Sequence, residues 1–128
     1  MTRRFRNWAS SELPLIPRTW DECLDPDEQL DGLLFRYSTG RRLAFPREFH
    51  VLKPVGSSVW EMKTPDVRIF GWFCSADLFV ACSGYDASKV KELRLYGPFR
   101  DEVAHVRQQL QLPCIEGEDP NVVVSDCD

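Results

Sequence analysis

Residues 59–84, VWEMKTPDVRIFGWFCSADLFVACSG, contain three short β-rich runs separated by two polar turns. The first run, Val59–Lys63, ends at Thr64–Asp66, whose proline and aspartate favour a turn. The second run is Val67–Phe73, and after another polar break the third is Leu78–Ser83. Because loops this short join antiparallel neighbours, the stretch predicts a meander of three strands.

Arg68 is the unusual residue of this stretch. It lies in the middle strand, whose other residues are apolar on both faces, as expected for a strand that is covered on both sides. A permanent cation in such a strand requires a partner. Two interpretations stay open: a structural ion pair with Glu61 across the hairpin, or a contact with a phosphate group.

The flanking segments predict helices on either side of the meander. Asp25-Pro26 is typical of a helix start, and Gly40 is placed to end that helix. The spaced apolar residues of Leu43–Pro54 suggest a short second helix, in which we interpret His50 as a packing or hydrogen-bonded residue. Gly97-Pro98 opens a terminal helix.

Together these patterns predict an α+β fold with N-terminal helices, a small antiparallel sheet and a C-terminal helix. The sheet consists of the three-strand meander, with Thr2–Ala9 as a candidate N-terminal strand, and the helices are expected mainly on one side of it. We assign residues 1–112 to a single domain. Residues 113–128 are acidic and predict a mobile or loosely docked tail.

The net charge of −4 is unevenly distributed. Residues 19–31 carry six acidic and no basic residues, and residues 111–128 carry five acidic and no basic residues. Residues 32–63 carry six basic and two acidic residues, so the body of the chain is mildly basic. A basic body suits a polyanion-binding surface, whereas the acidic total argues against one.

Composition excludes several classes of protein. No apolar run approaches the roughly 20 residues that span a bilayer, and the N-terminus lacks the apolar core of a secretory signal. Five cysteines without a CxxC pair predict neither disulfides nor a zinc site, and we expect no cofactor and a cytoplasmic location.

The order Gly40, Leu43, Pro46, Phe49, Leu52, Val59–Lys63, Val67–Phe70, Leu78–Val80 and Gly84 resembles the RelE/ParE toxin superfamily. It is most similar to the phage-derived HigB-type branch, and the resemblance covers roughly residues 26–110. It implies the toxin of a type II toxin–antitoxin pair, a ribosome-dependent mRNA endoribonuclease that needs no metal. Its partners would be the ribosome, mRNA and a helix-turn-helix antitoxin.

The resemblance also implies site residues. Arg68 takes the position of the arginine that contacts the scissile phosphate, and Lys63 is a second phosphate contact or a candidate base. Tyr85 is a candidate acid–base or base-stacking residue, because no histidine follows Gly84 as it can in HigB-type members. The candidate RNA contacts are Lys89, Lys91, Arg41 and Arg42, all of which have the alternative role of ordinary solvated surface charges.

A second interpretation of function stays open beside the toxin. The acidic total and the missing histidine also fit a catalytically inactive interaction module on the same fold, such as a phage or prophage protein that binds a host factor. Affinity for RNA across a salt series discriminates the two, because a polyanion binder weakens steeply as salt rises.

Overall fold

The computed structural model describes residues 1–17, 24–53 and 57–125. Parts of three predicted segments lie outside the described residues: 19–23 of the first acidic segment, Pro54 of the predicted second helix, and 126–128 of the tail. The described residues form a four-stranded antiparallel sheet with helices before and after it. The predicted α+β class is confirmed.

The elements follow one another along the chain. The helices are α1 (Arg3–Ser11), α2 (Pro26–Ser38), α3 (Ala87–Glu92), α4 (Tyr96–Leu110) and α5 (Pro120–Val123), and a short 3-10 helix covers Leu13–Leu15. The strands are β1 (Phe49–Val51), β2 (Trp60–Lys63), β3 (Val67–Ser75) and β4 (Leu78–Asp86). Within the described ranges, no helix is long and apolar enough to cross a membrane.

The predicted meander forms the centre of the sheet, whose spatial order is β1-β2-β3-β4. Lys63 pairs with Arg68 across the turn at 64–66, and Arg68 in turn pairs with Tyr85 on β4. Asp77 adopts a left-handed φ of 61° in the second turn, a conformation that Asp tolerates better than most residues.

Helices cover both faces of the sheet, which corrects the expectation that they lie mainly on one side. Phe5 of α1 and Leu33 of α2 join one apolar cluster, while Val103 of α4 joins the other. Strand β3 requires this arrangement, because Ile69 and Phe70 point to opposite faces and are both buried.

The N-terminal segment is a helix, so the candidate strand over Thr2–Ala9 was wrong. The hydroxyl of Thr2 accepts the backbone N–H of Phe5 and caps α1. Phe5 and Trp8 lie three residues apart and therefore share one helical face, which packs toward the sheet. The segment still reaches the sheet edge, where the Thr2 N–H donates to the carbonyl of Ala81 at 3.0 Å.

The fourth strand is β1, in the segment Leu43–Pro54 where a short helix was predicted. Phe49 pairs with Met62 and is fully buried, whereas His50 pairs with Glu61 on the opposite face. The apolar positions 49 and 51 follow the two-residue period of a strand, and pairing with β2 selects that period over the helical one.

The ends of α2 confirm the predicted start and stop signals. Asp25 is the N-cap residue, Pro26 is the first helical residue, and Gly40 follows the helix with φ of 75°. The described part of the acidic tail is docked on the sheet. The Ile115 N–H donates to the carbonyl of Phe73 at 2.9 Å, and Val123 is buried in the core. The mobility of the tail stays a prediction.

Candidate functional site

A cleft of about 630 Å³ opens between α2, the loop before β1, and the turn that joins β2 to β3. Its charged and polar lining includes Gln29, Arg36, Arg47, Glu48, Lys63 and Arg68. Lys63 and Arg68 are directly paired across the hairpin, so both side chains leave the sheet on the same face. The structure therefore brings two of the predicted site residues together.

Gln29 attaches α2 to the turn that forms one side of the cleft. Its side-chain nitrogen donates to Asp66 Oδ2 at 2.7 Å and to the carbonyl of Leu24 at 2.9 Å. Its side-chain oxygen accepts from the Thr64 hydroxyl at 2.9 Å and from the Asp66 N–H at 3.0 Å. All four bonding positions of one buried amide are thus used, three of them on the turn and one on Leu24 before α2.

The Arg68 guanidinium lies at the base of the cleft, with its side chain only 7% exposed. Nη1 donates to the carbonyls of Thr64 at 2.5 Å and Val67 at 3.1 Å. Nε lies 3.7 Å from Glu61 Oε1 and has no hydrogen-bond partner within the described residues. The guanidinium is therefore held mainly by backbone carbonyls, with the Glu61 carboxylate as its counter-ion.

Glu61 is completely buried and lies between two basic side chains. Its Oε1 is 3.0 Å from His50 Nε2 as well as near Arg68, while its Oε2 has no hydrogen-bond partner within the described residues. His50 Nδ1 is 3.0 Å from the carbonyl of Val51. Because a carbonyl oxygen only accepts, the contact with Val51 places a proton on Nδ1.

Tyr96, at the start of α4, adds a hydroxyl to this group. Burial raises the pKa of the Tyr96 phenol, the negative charge of Glu61 raises it further, and the contact with Arg68 partly opposes both. The phenol therefore stays protonated near neutral pH, and its hydroxyl is able to donate a hydrogen bond beside the Glu61 carboxylate. An edge-on contact with Phe70, at 6.1 Å between ring centroids, helps to position the ring.

Lys63 is more accessible to solvent than Arg68, its cross-strand partner. Burial lowers the pKa of the Lys63 amine, the charge of Glu61 raises it, and the charges of Arg68 and Lys91 lower it again, with a net lowering. The charge of Lys91, an exposed residue of α3, contributes to this lowering. A lysine with a lowered pKa gives up its proton more readily and is better suited to accept one from a substrate.

Arg36 and Glu48 form an ion pair on the far wall of the cleft, at 2.5 Å. Burial alone would raise the pKa of Glu48, but the hydrogen bonds from Arg36 and from the Ala44 N–H, together with the charge of Arg47, lower it. Glu48 therefore stays ionised. The cleft lining holds four basic residues and two acidic ones, and the buried Glu61 offsets the charge of Arg68, so the surplus positive charge is small.

The other predicted site residues lie away from this cleft. Tyr85 packs against Phe99 at 5.5 Å and lines a neighbouring pocket, and Lys89 lines a small cavity with it. Arg41 lies over the Phe35 ring at 5.7 Å, and Arg42 follows it on the surface. Both arginines are beyond the last turn of α2, about 14 Å along the helix axis from Gln29.

Several residues of the site were not predicted from the sequence. Gln29 and Arg36 lie seven residues apart on α2, so a polar stripe at helical spacing was a signal that could have identified this wall. His50 was interpreted as a packing or hydrogen-bonded residue. Its contact with Glu61 is a hydrogen bond, so the second interpretation holds. Tyr96 had no local signal, because it approaches Arg68 only when α4 packs on the sheet.

Among the described residues, the candidate metal ligands lie at the start of α2, and of them only Glu28 also lines the cleft. Asp25, Asp27 and Glu28 are the one group in the described ranges whose side chains approach closely enough to share an ion, and all three are exposed. Cys74, Cys82 and Cys114 are free thiols.

The cleft supplies three kinds of group for chemistry on a phosphate ester. Arg68 offers a permanent cation, Lys63 offers an amine with a lowered pKa, and Lys91 adds positive charge nearby. No protein-family model, curated protein or solved structure matches this chain.

Proposed function

We propose that this chain is a RelE-like toxin of a type II toxin–antitoxin pair, an endoribonuclease that cleaves mRNA without a metal ion. The observation that carries the proposal is the pairing of Lys63 with Arg68, whose side chains both line one cleft. Cleavage of RNA by its own 2′-hydroxyl requires a proton acceptor, positive charge for the phosphorane and a proton for the leaving 5′-oxygen. Lys63 and Arg68 supply the first two, and water supplies the proton of the leaving group.

Each of the paired residues has a distinct role in this proposal. Lys63, in its neutral form, accepts the proton of the 2′-hydroxyl, and the lowered pKa of its amine increases the population of that form. Arg68 holds the non-bridging phosphate oxygens, because a guanidinium donates two parallel hydrogen bonds and keeps its charge at any working pH. Lys91 contacts the backbone phosphate next to the scissile one.

The cellular part of the proposal follows from the resemblance in the sequence. The enzyme would act in the cytoplasm on mRNA held by the ribosome, and an antitoxin with a helix-turn-helix domain would cover the cleft. Because the cleft carries surplus positive charge, an acidic segment of the antitoxin is the complementary occupant.

The test is growth and translation in a bacterial host after induction of the chain. We expect the wild type to stop translation, and Arg68→Ala to lower the rate of RNA cleavage by about 100-fold or more. Arg68→Lys, which keeps the charge and loses the fork, should retain part of the activity. Lys53→Ala, which removes a charge from an exposed residue elsewhere, is the control.

Because Arg68 is buried, each variant is first checked for folding by circular dichroism and urea unfolding. If a folded Arg68→Ala variant arrests growth as strongly as the wild type, Arg68 does not belong to the site. If the Lys53→Ala control loses growth arrest to the same extent as Arg68→Ala, the arrest depends on the overall charge of the chain and not on the cleft.

A second candidate function is a catalytically inactive interaction module. The small exposure of Arg68 and its contacts with Glu61 and two backbone carbonyls favour it, since the same geometry is that of a structural ion pair. The two candidates differ in their affinity for single-stranded RNA. Three phosphate contacts predict that log K falls with log salt with a slope of about −2, whereas the module predicts no binding at low salt.

A further inference from the structure

A second pocket, of about 510 Å³, opens at the β4 edge of the sheet between α1 and α4. Three aromatic side chains, Trp8, Tyr85 and Phe99, form much of its wall, and each is partly exposed. The volume lies within the range of about 300–1,000 Å³ that is typical of small-molecule sites. The pocket is thus large enough for one nucleoside.

The aromatic walls are held in place by their surroundings. Trp8 lies directly on the backbone of Gly84, where a Cβ atom would come within 2.3 Å of the indole ring. Phe99 stacks on Phe70 with centroids 4.8 Å apart and an angle of 9° between the planes, and Tyr85 packs against it. Flat, fixed aromatic surfaces of this kind are the usual platforms for nucleobases.

A carboxylate is fixed at the same pocket. Glu102 Oε1 accepts a hydrogen bond from the hydroxyl of Ser83 at 2.6 Å and pairs with Arg4 Nη2 at 3.0 Å. Both of these contacts use Oε1, so they orient the carboxylate and leave Oε2 as its other acceptor atom. Ser83 is buried and the Glu102 side chain is 24% exposed, so a ligand in the pocket is able to reach it.

The lining of the pocket carries one basic residue, Arg4, and two acidic residues, Glu12 and Glu102. The Arg4 side chain is 63% exposed, and Arg3 and Arg6 on the same helix are exposed as well. On the sheet, Tyr85 is the direct cross-strand partner of Arg68, so the pocket begins one strand away from the cleft. Neighbouring strands are about 5 Å apart, a distance that one nucleotide spans.

We infer that this pocket binds a guanine base, in a single-stranded RNA whose backbone lies along the surface between Arg4 and Arg68. Guanine carries adjacent N1–H and N2–H donors that are both able to donate to Oε2, whereas adenine donates to it only from its N6 amino group and presents an acceptor at N1. The site therefore favours guanine by one hydrogen bond to a charged acceptor. The inference rests on the proposed function, because it names the base recognised next to the cleaved backbone.

The experiment is a titration of the ¹⁵N-labelled full chain with GMP and, separately, with AMP, followed by NMR at the indole N–H of Trp8. A Trp8→Phe variant assigns that signal. We expect GMP to shift it and to bind about tenfold more tightly than AMP. Glu102→Gln should abolish the preference, while Glu92→Gln, the same change at an exposed residue, should leave it intact.

The outcomes separate this inference from the proposed function. GMP binding with the expected preference in an Arg68→Ala variant supports the pocket whether or not the chain cleaves RNA. Loss of GMP binding in that variant would show capture of the phosphate at Arg68 and would overturn the inference. Equal binding of GMP and AMP, or no shift of Trp8 with either, would also overturn it, even if the wild type arrests growth through Arg68.

Discussion

At the scale of single residues, Glu61 is the residue on which the electrostatics of the cleft depend. It is completely buried between Arg68 and His50, and its carboxylate balances the charge of the guanidinium. A buried pair of this kind contributes little net stability compared with apolar residues, but removal of one partner leaves the other uncompensated. The pair is therefore better explained by what it holds in place than by the stability it adds.

This asymmetry gives a prediction for the free energy of unfolding. Glu61→Leu alone should destabilise the fold by about 3 kcal/mol, because the buried charge of Arg68 loses its counter-ion. The double variant Glu61→Leu/Arg68→Met should recover most of that loss. Urea unfolding of the four members of the cycle measures it, and strictly additive single effects would contradict a direct interaction between the two side chains.

A second prediction at this scale concerns pH and Lys63. Because the pKa of Lys63 in the folded chain lies below its ordinary value of 10.5, the unfolded chain binds more protons between these two values. The contribution of Lys63 to the free energy of unfolding should therefore rise with pH between these two values. Urea unfolding between pH 7 and 10.5 should show the wild type gaining stability relative to Lys63→Met, with Lys53→Met as the matched control.

Stability of the wild type that changes with pH in parallel with the Lys63→Met variant would contradict this prediction. It would mean that the amine is equally solvated in the folded and unfolded chains. The proposal of Lys63 as a proton acceptor would then lose its physical support.

At the scale of elements, the cleft depends on how α2 is attached to the β2–β3 turn. The buried side chain of Gln29 makes four hydrogen bonds to Leu24, Thr64 and Asp66, and these are the described polar links between the helix start and the turn. The two walls of the cleft therefore come from elements that are distant in the chain and joined through one amide.

Gln29→Leu should destabilise the chain by about 2–4 kcal/mol, since a side chain of similar size fills the space but leaves buried polar groups without their partners. Amide hydrogen exchange at Asp66 and Val67 should increase by more than at the centre of β3. Gln108→Leu, on the exposed side of α4, is the control. Unchanged exchange at the turn would show that α2 does not hold it.

At the scale of the whole molecule, the sheet is closed on both faces by segments from the two ends of the chain. The described part of the acidic tail contributes Val123 and Val124 to the cluster that also contains Phe5 of α1. The Asp77 N–H donates to the carbonyl of Val123 at 2.7 Å, so the tail is tied to the turn before β4. Val123 and Val124 are therefore packed on the domain, while the mobility of the tail stays a prediction.

Two neighbouring valines test this role of the tail. Val123→Ala should lower the free energy of unfolding by about 2 kcal/mol, because its side chain is 1% exposed. Val122→Ala, at 51% exposure, should change it by less than about 0.5 kcal/mol. Equal effects of the two substitutions in urea unfolding would show that the tail is not docked in solution.

The sequence by itself determined the meander, its first turn, the limits of α2 and the unusual position of Arg68. These features depend on neighbouring residues, such as Pro65 and Asp66 in the turn, or on single residues at a helix end, such as Pro26 and Gly40. Local patterns were insufficient where two periods competed. In Thr2–Ala9 and at Phe49–Val51, contacts with β4 and β2 decided between helix and strand.

Only the tertiary structure decided which side chains share a site. His50, Glu61, Arg68 and Tyr96 come from four different elements, and Trp8 and Tyr85 meet at the second pocket from opposite ends of the chain. Their proximity results from the register of the sheet and from the packing of α1 and α4 on its two faces. No local periodicity encodes those distances, because they are fixed by the burial of the core as a whole.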